Sequence, residues 1–208
     1  MDREALIVAT GVIAVAALLV WYLVLRKIER AGWSIGPLVH GDNYSRNMPS
    51  VPTKLAGGVW SVLIEPGAEL DGVTIARGPV TGSIFLRYRV TGDGLYPSEV
   101  PGEEPILTVY LQRKGDNWSG AGKYDGYRFY RIAPLPLTPG EHEAMVPLEA
   151  REFVGVSGAG AWDLGSLFTE ALASNGRIGL AFGHRHGRMH GVETTEPVIV
   201  DLLEWRVG

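Results

Sequence analysis

An uncharged stretch restricts the architecture of this chain more than any other feature. Residues 5–25 read ALIVATGVIAVAALLVWYLVL, without an acidic or basic side chain. A bilayer core of about 30 Å requires about 20 apolar residues in an α-helix, at about 1.5 Å of rise per residue. The length predicts a transmembrane helix, which the basic residues Arg26, Lys27 and Arg30 bring to an end.

A cleaved secretory signal is the competing interpretation of this stretch. Such a signal needs a basic start, an apolar core of roughly 7 to 15 residues and a cleavage site between small residues. Here Arg3 is the single basic residue before a longer apolar stretch, and cations follow it directly. We therefore predict an uncleaved anchor.

The flanking charges predict the orientation of the anchor, because Lys and Arg are retained on the cytoplasmic side. Arg3 stands alone on one side, next to Asp2 and Glu4, whereas three cations lie on the other. The expected location is a bacterial inner membrane, with a single span, the N-terminus outside and the following domain in the cytoplasm. A periplasmic domain is the alternative.

Composition divides the chain into three parts. Residues 1–30 form the predicted anchor with its basic flank. Residues 31–58 are rich in Gly, Pro, Asn and Ser, which is typical of a linker or an extended arm, although their apolar side chains indicate that part of the segment packs. Residues 59–208 suffice for one domain with a sizeable core. The net charge of −4 argues against nucleic acid, and the absence of cysteine excludes disulfides and thiol nucleophiles.

Short β-rich runs separated by turn residues fill residues 59–208, which predicts an all-β, antiparallel sandwich of about eight or nine strands. In residues 83–90, Leu86 and Tyr88 share the apolar face of an alternating strand, with Arg87 on the other face. One short helix is predicted at residues 164–173 from apolar positions at helical spacing. The other predicted strands are residues 59–64, 72–76, 106–113, 127–132, 143–148, 177–183 and 198–207.

The strand and turn pattern of residues 60–207 resembles the jelly-roll, carbohydrate-binding-module-like domains that are described as galactose-binding-like. The segments that carry the resemblance are ILTVYLQRKGDNWSG, KYDGYRFYR, LTPGEHEAMVPL, FVGVSG, RIGLAFG and HGV. The resemblance implies a jelly-roll fold, with a glycan as one candidate ligand. Domains of this kind are usually exported, whereas the flanking charges here predict a cytoplasmic domain.

An aromatic and polar segment is the first candidate binding site. Flat rings can stack on sugar rings while polar side chains bind hydroxyl groups. A protein contact and a plain core or rim position are the alternatives. Nearby glycines predict a loop in which Trp118 and Tyr124 are exposed. The candidate partner-binding or glycan-binding residues are Asp116, Asn117, Trp118, Tyr124 and Arg128.

A second constellation lies in the segment FGHRHGRMHG. His184 and His186 would share one face of a strand, and His190 could complete a zinc or copper site. The segment has no carboxylate, and Arg185 and Arg188 would repel a cation, so we predict a solvated turn and neither a metal nor a cofactor. The same segment could also act through its positive charge, as a basic loop that contacts an acidic partner or lipid headgroups. The residues of this basic loop are Arg185, His186, Arg188 and His190.

No catalytic set emerges, because the serines lack a nucleophile-elbow context and the carboxylates lack acid-base spacing. We therefore do not expect an enzyme. The leading expectation is a membrane-anchored accessory subunit whose β-sandwich docks on other integral membrane subunits of an energy-transducing, secretion or envelope complex. The alternative is an envelope carbohydrate-binding module that faces the periplasm.

Overall fold

The computed structural model describes residues 32–40 and 42–208 of the chain. The predicted anchor, its basic flank and the orientation inferred from them lie outside the described residues. Within residues 32–40 and 42–208, no helix combines the length and the apolar character needed to cross a membrane.

Two antiparallel sheets dominate the described structure, and two short strand pairs and one helix complete it. The six-stranded sheet has the order β1 (Trp33–Gly36), β6 (Gly72–Ala76), β13 (Asn175–Gly183), β9 (Ile106–Arg113), β10 (Arg128–Arg131) and β12 (Phe153–Gly155). The five-stranded sheet has the order β11 (Gly140–Pro147), β7 (Ser83–Thr91), β15 (Val198–Val207), β5 (Trp60–Ile64) and β4 (Thr53–Lys54). The short pairs are β2 (Leu38–Val39) with β3 (Asp42–Asn43) and β8 (Leu95–Pro97) with β14 (Val192–Thr194); the helix is α1 (Leu167–Ala173).

A single large apolar core joins the two sheets. On β7, Leu86 and Tyr88 are completely buried while Arg87 is exposed, which confirms the alternation predicted for this strand. From the other sheet, alternate residues such as Val109 and Leu111 of β9 enter the same core. The antiparallel β-sandwich character expected from the sequence is therefore confirmed.

The sandwich begins earlier in the chain than the boundary at residue 59 that the sequence indicated. The compact unit starts at Trp33. Strand β1 lies within the segment for which we expected a linker or an arm, and it pairs with β6 so that Trp33 and Ile35 are buried. Four residues are too few to show a periodicity, so this edge strand was not visible in the sequence.

Helix α1 is shorter than the predicted residues 164–173. The backbone N–H of Leu167 donates to Leu164 O at 3.2 Å, which closes a turn rather than a turn of α-helix. Gly165 has a φ of 59°, in the left-handed region, and this conformation interrupts a right-handed helix. Phe168 of α1 packs against Phe129 and Phe153 at ring-centroid distances of 5.1 and 5.2 Å, and so closes one end of the core.

The outer face of the six-stranded sheet carries a second, small cluster that positions the candidate site. Alternation directs Tyr110 of β9 and Tyr130 of β10 away from the main core, yet the two side chains are 0% and 5% exposed. Met189, from the loop that follows β13, packs against them together with Trp118. Two loops therefore cover part of this sheet face and leave a cleft beside it.

Candidate binding cleft

The floor of the cleft is set by the pairing of β9 with β10. Tyr110 lies opposite Tyr130 in the register, and their ring centroids are 5.3 Å apart. Burial raises the pKa of Tyr130 to about 12, and burial also raises the pKa of Tyr110 well above its usual value. Both phenols are therefore neutral at physiological pH and offer an O–H donor and an acceptor oxygen.

Asp116 holds the loop of residues 114–121, the aromatic loop, which carries Trp118, against this floor. Its carboxylate accepts hydrogen bonds from the backbone N–H of Trp118 at 3.1 Å and from Gln112 Nε2 at 2.9 Å. Arg128 Nε lies 3.1 Å from Asp116 Oδ2, an ion-pair distance, although the N–H is not aligned for a hydrogen bond. These contacts hold Trp118 in a left-handed backbone conformation, with a φ of 65°.

The indole of Trp118 contacts Arg128 and Tyr110. The guanidinium carbon of Arg128 is 4.8 Å from the centre of the indole, within the range of a cation–π contact. The indole is stacked on Tyr110 with a centroid distance of 6.4 Å and an interplanar angle of 20°. Trp118 is half-buried rather than exposed as we expected, because the sheet face supports it from below.

The basic loop is fixed at both ends. His184 Nδ1 lies 3.1 Å from Glu103 Oε2, and His190 Nδ1 lies 2.9 Å from Glu99 Oε1. Gly187 packs so closely on His184 that a Cβ at this position would lie 2.2 Å from His184 Nε2. The loop therefore has a defined shape, which presents the side chains between its two fixed histidines.

The structure brings the two sets of sequence-predicted residues together in one place. A cavity of about 690 Å³ is lined by Trp118 and Arg128 of the first set and by Arg185, His186, Arg188 and His190 of the second. An adjoining cavity of about 340 Å³ is lined by Asp116, Asn117 and Trp118, and both cavities share Pro37, Trp118 and Met189. We refer to the two cavities together as the cleft.

Tyr124 lines neither of the two cavities. It lies in the 3-10 turn Gly122–Tyr124 and is half-buried rather than exposed, with its ring 5.1 Å from that of Tyr127 in an edge-to-face contact. Lys123 lies over the same ring, with Nζ 4.9 Å from the ring centre. The structure thus separates Tyr124 from the other four residues of the aromatic set.

The three histidine candidates for a metal site are not gathered around a common point. The rings of His184 and His190 are 6.5 Å apart and meet at 75°, and each contacts a different glutamate. In the part of the chain that the structure describes, no three His, Asp or Glu side chains are grouped so that they could hold a metal ion.

Sequence reasoning missed several residues of the cleft. The outward positions of β9, which include Tyr110 and Gln112, belong to an alternating strand, and this alternation was the one available signal. No pattern in the sequence marked Asp71 as a residue of the cleft. It is 4% exposed, and its pKa is raised to about 7 because burial and the charge of Glu69 disfavour its ionised form.

Four buried polar atoms in residues that line the cleft have no hydrogen-bond partner among the described residues. An unsatisfied buried polar group costs about 1–3 kcal/mol, which a ligand that supplies the missing bond would offset. The four atoms are Asp71 Oδ2, Tyr110 Oη, Arg128 Nε and Arg188 Nε.

Comparison with known proteins adds no relative to this picture. No protein-family model matches the chain, and neither a curated protein nor a solved structure matches it.

Proposed function

We propose that the protein binds a carbohydrate non-covalently in the cleft on the outer face of the six-stranded sheet. The observation that carries this proposal is that one cavity is lined both by the aromatic side chain of Trp118 and by three residues with an unpartnered buried polar atom, namely Asp71, Arg128 and Arg188. Tyr110, which also has such an atom, lines the adjoining cavity. Sugars present hydroxyl groups, which can donate to Asp71 and accept from Tyr110, Arg128 and Arg188. They also present apolar ring faces, for which Trp118 offers a flat surface.

The size and shape of the cleft support this reading over a flat docking surface. Ligand cavities typically measure about 300–1,000 Å³, and the two adjoining cavities of 690 and 340 Å³ lie within that range. Trp118 lines both of them, so one ring could contact two neighbouring sugar units. The smaller cavity adds amide and hydroxyl groups that can form hydrogen bonds with a sugar, and its lining residues include Ser34, Thr74, Gln112 and Asn117.

A second part of the proposal concerns the kind of sandwich that carries the cleft. We propose that the sandwich is a jelly roll of the carbohydrate-binding-module-like, galactose-binding-like kind that the sequence resembles. Two packed antiparallel sheets with a cleft on one sheet face support it.

We retain the single-pass anchor at residues 5–25 as part of the proposal. A glycan of the envelope would require a periplasmic domain, the opposite of the orientation that the flanking charges predict.

Docking on other membrane subunits, the function that the sequence favoured, is our second candidate function. That expectation rested on the anchor and on the extended arm. The anchor lies outside the described residues, and Trp33 and Ile35 of the supposed arm pack into this chain's own core. The packing of Trp33 and Ile35 therefore removes the arm as a support for docking, and the anchor stays a proposal.

The experiment is a glycan array probed with the full chain in mild detergent, as wild type, Trp118→Ala and Tyr124→Ala. Loss of an aromatic contact at the centre of a binding site costs about 2 kcal/mol or more, which corresponds to roughly 30-fold weaker binding of any retained glycan. Tyr124→Ala is the matched control, because its ring packs on Tyr127 away from the cleft, and it should bind like wild type.

Two outcomes would contradict the proposal. Wild type could retain no glycan, or the Trp118→Ala variant could retain glycans as well as wild type does. If no glycan is retained and the Trp118→Ala variant loses co-purifying membrane proteins instead, docking replaces glycan binding as the function of this surface.

A further inference from the structure

We propose that the glycan is acidic, and that its carboxylate, sulfate or phosphate group is held by Arg188 and Arg185 of the basic loop. This inference rests on the proposed function, since it names the class of carbohydrate that the cleft takes. It is carried by the distribution of paired and unpaired charge around the larger cavity.

Most charged side chains around the larger cavity are already compensated. Arg46 pairs with Glu69 and, at 2.8 Å, with Glu193. Arg128 pairs with Asp116, and His190 with Glu99. Of the three carboxyl groups that line the cavity, Glu69 is paired with Arg46 and Glu99 lies 2.9 Å from His190. The third, Asp71, has its pKa raised to about 7 by burial, so it is partly protonated at neutral pH.

Arg185 and Arg188 differ from these side chains because they have no ion-pair partner among the described residues. Across residues 32–40 and 42–208, neither has a carboxylate within the 4.0 Å of an ion pair. Arg185 is exposed, whereas Arg188 is half-buried and its Nε atom is buried without a hydrogen-bond partner. Two guanidinium groups therefore contribute uncompensated positive charge to one wall of the cavity.

The surroundings make this charge costly in the absence of an anion. Burial lowers the pKa of Arg188, Tyr130 offsets part of that effect, and the neighbouring charge of Arg185 lowers the pKa further. A bound anion would reverse both penalties, because it would pair with Arg188 and reduce its repulsion from Arg185. Guanidinium groups bind carboxylate, sulfate and phosphate with two parallel hydrogen bonds, which gives geometric selectivity as well as energy.

The backbone of the basic loop is fixed at the turn that carries Arg185. The backbone N–H of His184 donates to Gly187 O, and the N–H of Gly187 donates to His184 O, both at 3.2 Å, so the turn between them is closed. Met189 is 7% exposed and packs in the cluster on the sheet face. Because the loop backbone is already ordered, ligand binding has to order only the arginine side chains.

The smaller cavity carries a related feature. Arg177 lines it and donates from Nη1 to Ser34 Oγ at 2.7 Å and to Thr74 Oγ1 at 3.1 Å. Its guanidinium is thus held by hydroxyl groups rather than by a carboxylate, and its charge also favours an acidic ligand. We assign the anionic group to the larger cavity, because Arg185 and Arg188, which have no carboxylate partner among the described residues, line it.

The test is isothermal titration of the full chain in mild detergent with sodium sulfate, glucuronate and glucose, at one low ionic strength. We expect saturable binding of sulfate and glucuronate, and no comparable binding of glucose. Arg188→Gln should weaken glucuronate binding at least tenfold, as expected for the loss of a charged hydrogen-bonding partner. Arg185→Gln should weaken it by a smaller factor, about threefold, because that side chain is exposed.

Arg151→Gln is the matched control. Arg151 is an exposed arginine of the turn Ala150–Glu152, paired with Glu149 at 2.8 Å. It should leave both titrations unchanged. If Arg188→Gln does not fold, as judged by circular dichroism, Arg185→Gln carries the test, since an exposed side chain can be changed without disturbing the core. Absence of saturable sulfate and glucuronate binding, or equal binding by wild type and both cleft variants, would overturn the inference.

A matched pair on the glycan array separates this inference from the proposed function. The pair consists of oligogalacturonate and its carboxyl-reduced, neutral counterpart. If both are bound equally and both depend on Trp118, the cleft binds carbohydrate but the acidic preference is wrong. If no glycan binds at all, the proposed function fails, while the sulfate titration still decides whether the arginines form an anion site.

Discussion

The buried carboxyl group of Asp71 should make the fold less stable as the pH rises. Burial raises the pKa of Asp71 from 3.8 to about 7, with further repulsion from Glu69, whereas Ser45, His190 and Arg46 offset part of the shift. The folded pKa exceeds the unfolded one, so the folded state keeps a proton that the unfolded chain releases. The favourable contribution is complete below the unfolded pKa and is lost as the pH rises through about 7.

The size of the effect follows from the two pKa values. Each pKa unit corresponds to about 1.4 kcal/mol, so the Asp71 carboxyl costs the fold about 4 kcal/mol at pH 8, where it is ionised in both states. At pH 5 the cost is about 2 kcal/mol, because the fold keeps a proton that most unfolded chains have released. Asp71→Asn removes this titration while it conserves the shape of the side chain. The variant should therefore gain about 2–3 kcal/mol in the free energy of unfolding, relative to wild type, between pH 5 and pH 8.

The assay is urea unfolding of the full chain in mild detergent, for wild type and variant, at both pH values. Any constant cost of the new amide cancels, because only the change between the two pH values is compared. Asp163→Asn, at an exposed position, is the control and should leave the pH dependence as in wild type. Identical pH dependence in wild type and Asp71→Asn would refute the reasoning.

Three further predictions concern the register of β7, the role of Asp116 and the orientation of the anchor. Leu86→Ala should lower the free energy of unfolding by about 2–5 kcal/mol because the side chain is fully buried, whereas Arg87→Ala on the exposed face should cost little; equal small effects would contradict the register of β7. Asp116→Ala should cost about 3–5 kcal/mol, because it leaves the buried charge of Arg128 unpaired, and unchanged urea unfolding would contradict that role. A C-terminal phosphatase fusion should be inactive and a fluorescent fusion bright if Arg26, Lys27 and Arg30 set the orientation; the reverse pair of results would place the domain in the periplasm, where an envelope glycan is accessible.

The longer strands could be predicted from the sequence because alternation reports burial directly. Strands β6, β9 and β15 begin and end where the pattern placed them. Strands β1 and β12, of four and three residues, contain too little sequence to show a period, whereas β10 was predicted because the alternation extends beyond its bounds, over residues 127–132. The left-handed conformation of Gly165, which shortens α1, likewise depends on local packing rather than on composition.

The parts of the cleft were visible in the sequence, but their assembly was not. The aromatic and basic loops could be recognised separately from their residue types. Their meeting depends on sheet order, since β9 lies between β13, which precedes the basic loop, and β10, which carries Arg128. Tyr110 escaped notice because an outward residue on a strand has the same sequence signature whether a loop covers it or water does.

Hydrogen exchange tests the central claim, that the cleft is a carbohydrate site, most directly. The full chain would be compared with and without the glycan that it retains best on the array, and exchange would be followed by mass spectrometry. We expect slower exchange in residues 114–121 and 184–191, the two loops that border the cleft, and unchanged exchange in β4 and β5 at the edge of the other sheet. Protection confined to the five-stranded sheet, or protection of neither loop at saturating glycan, would contradict the account.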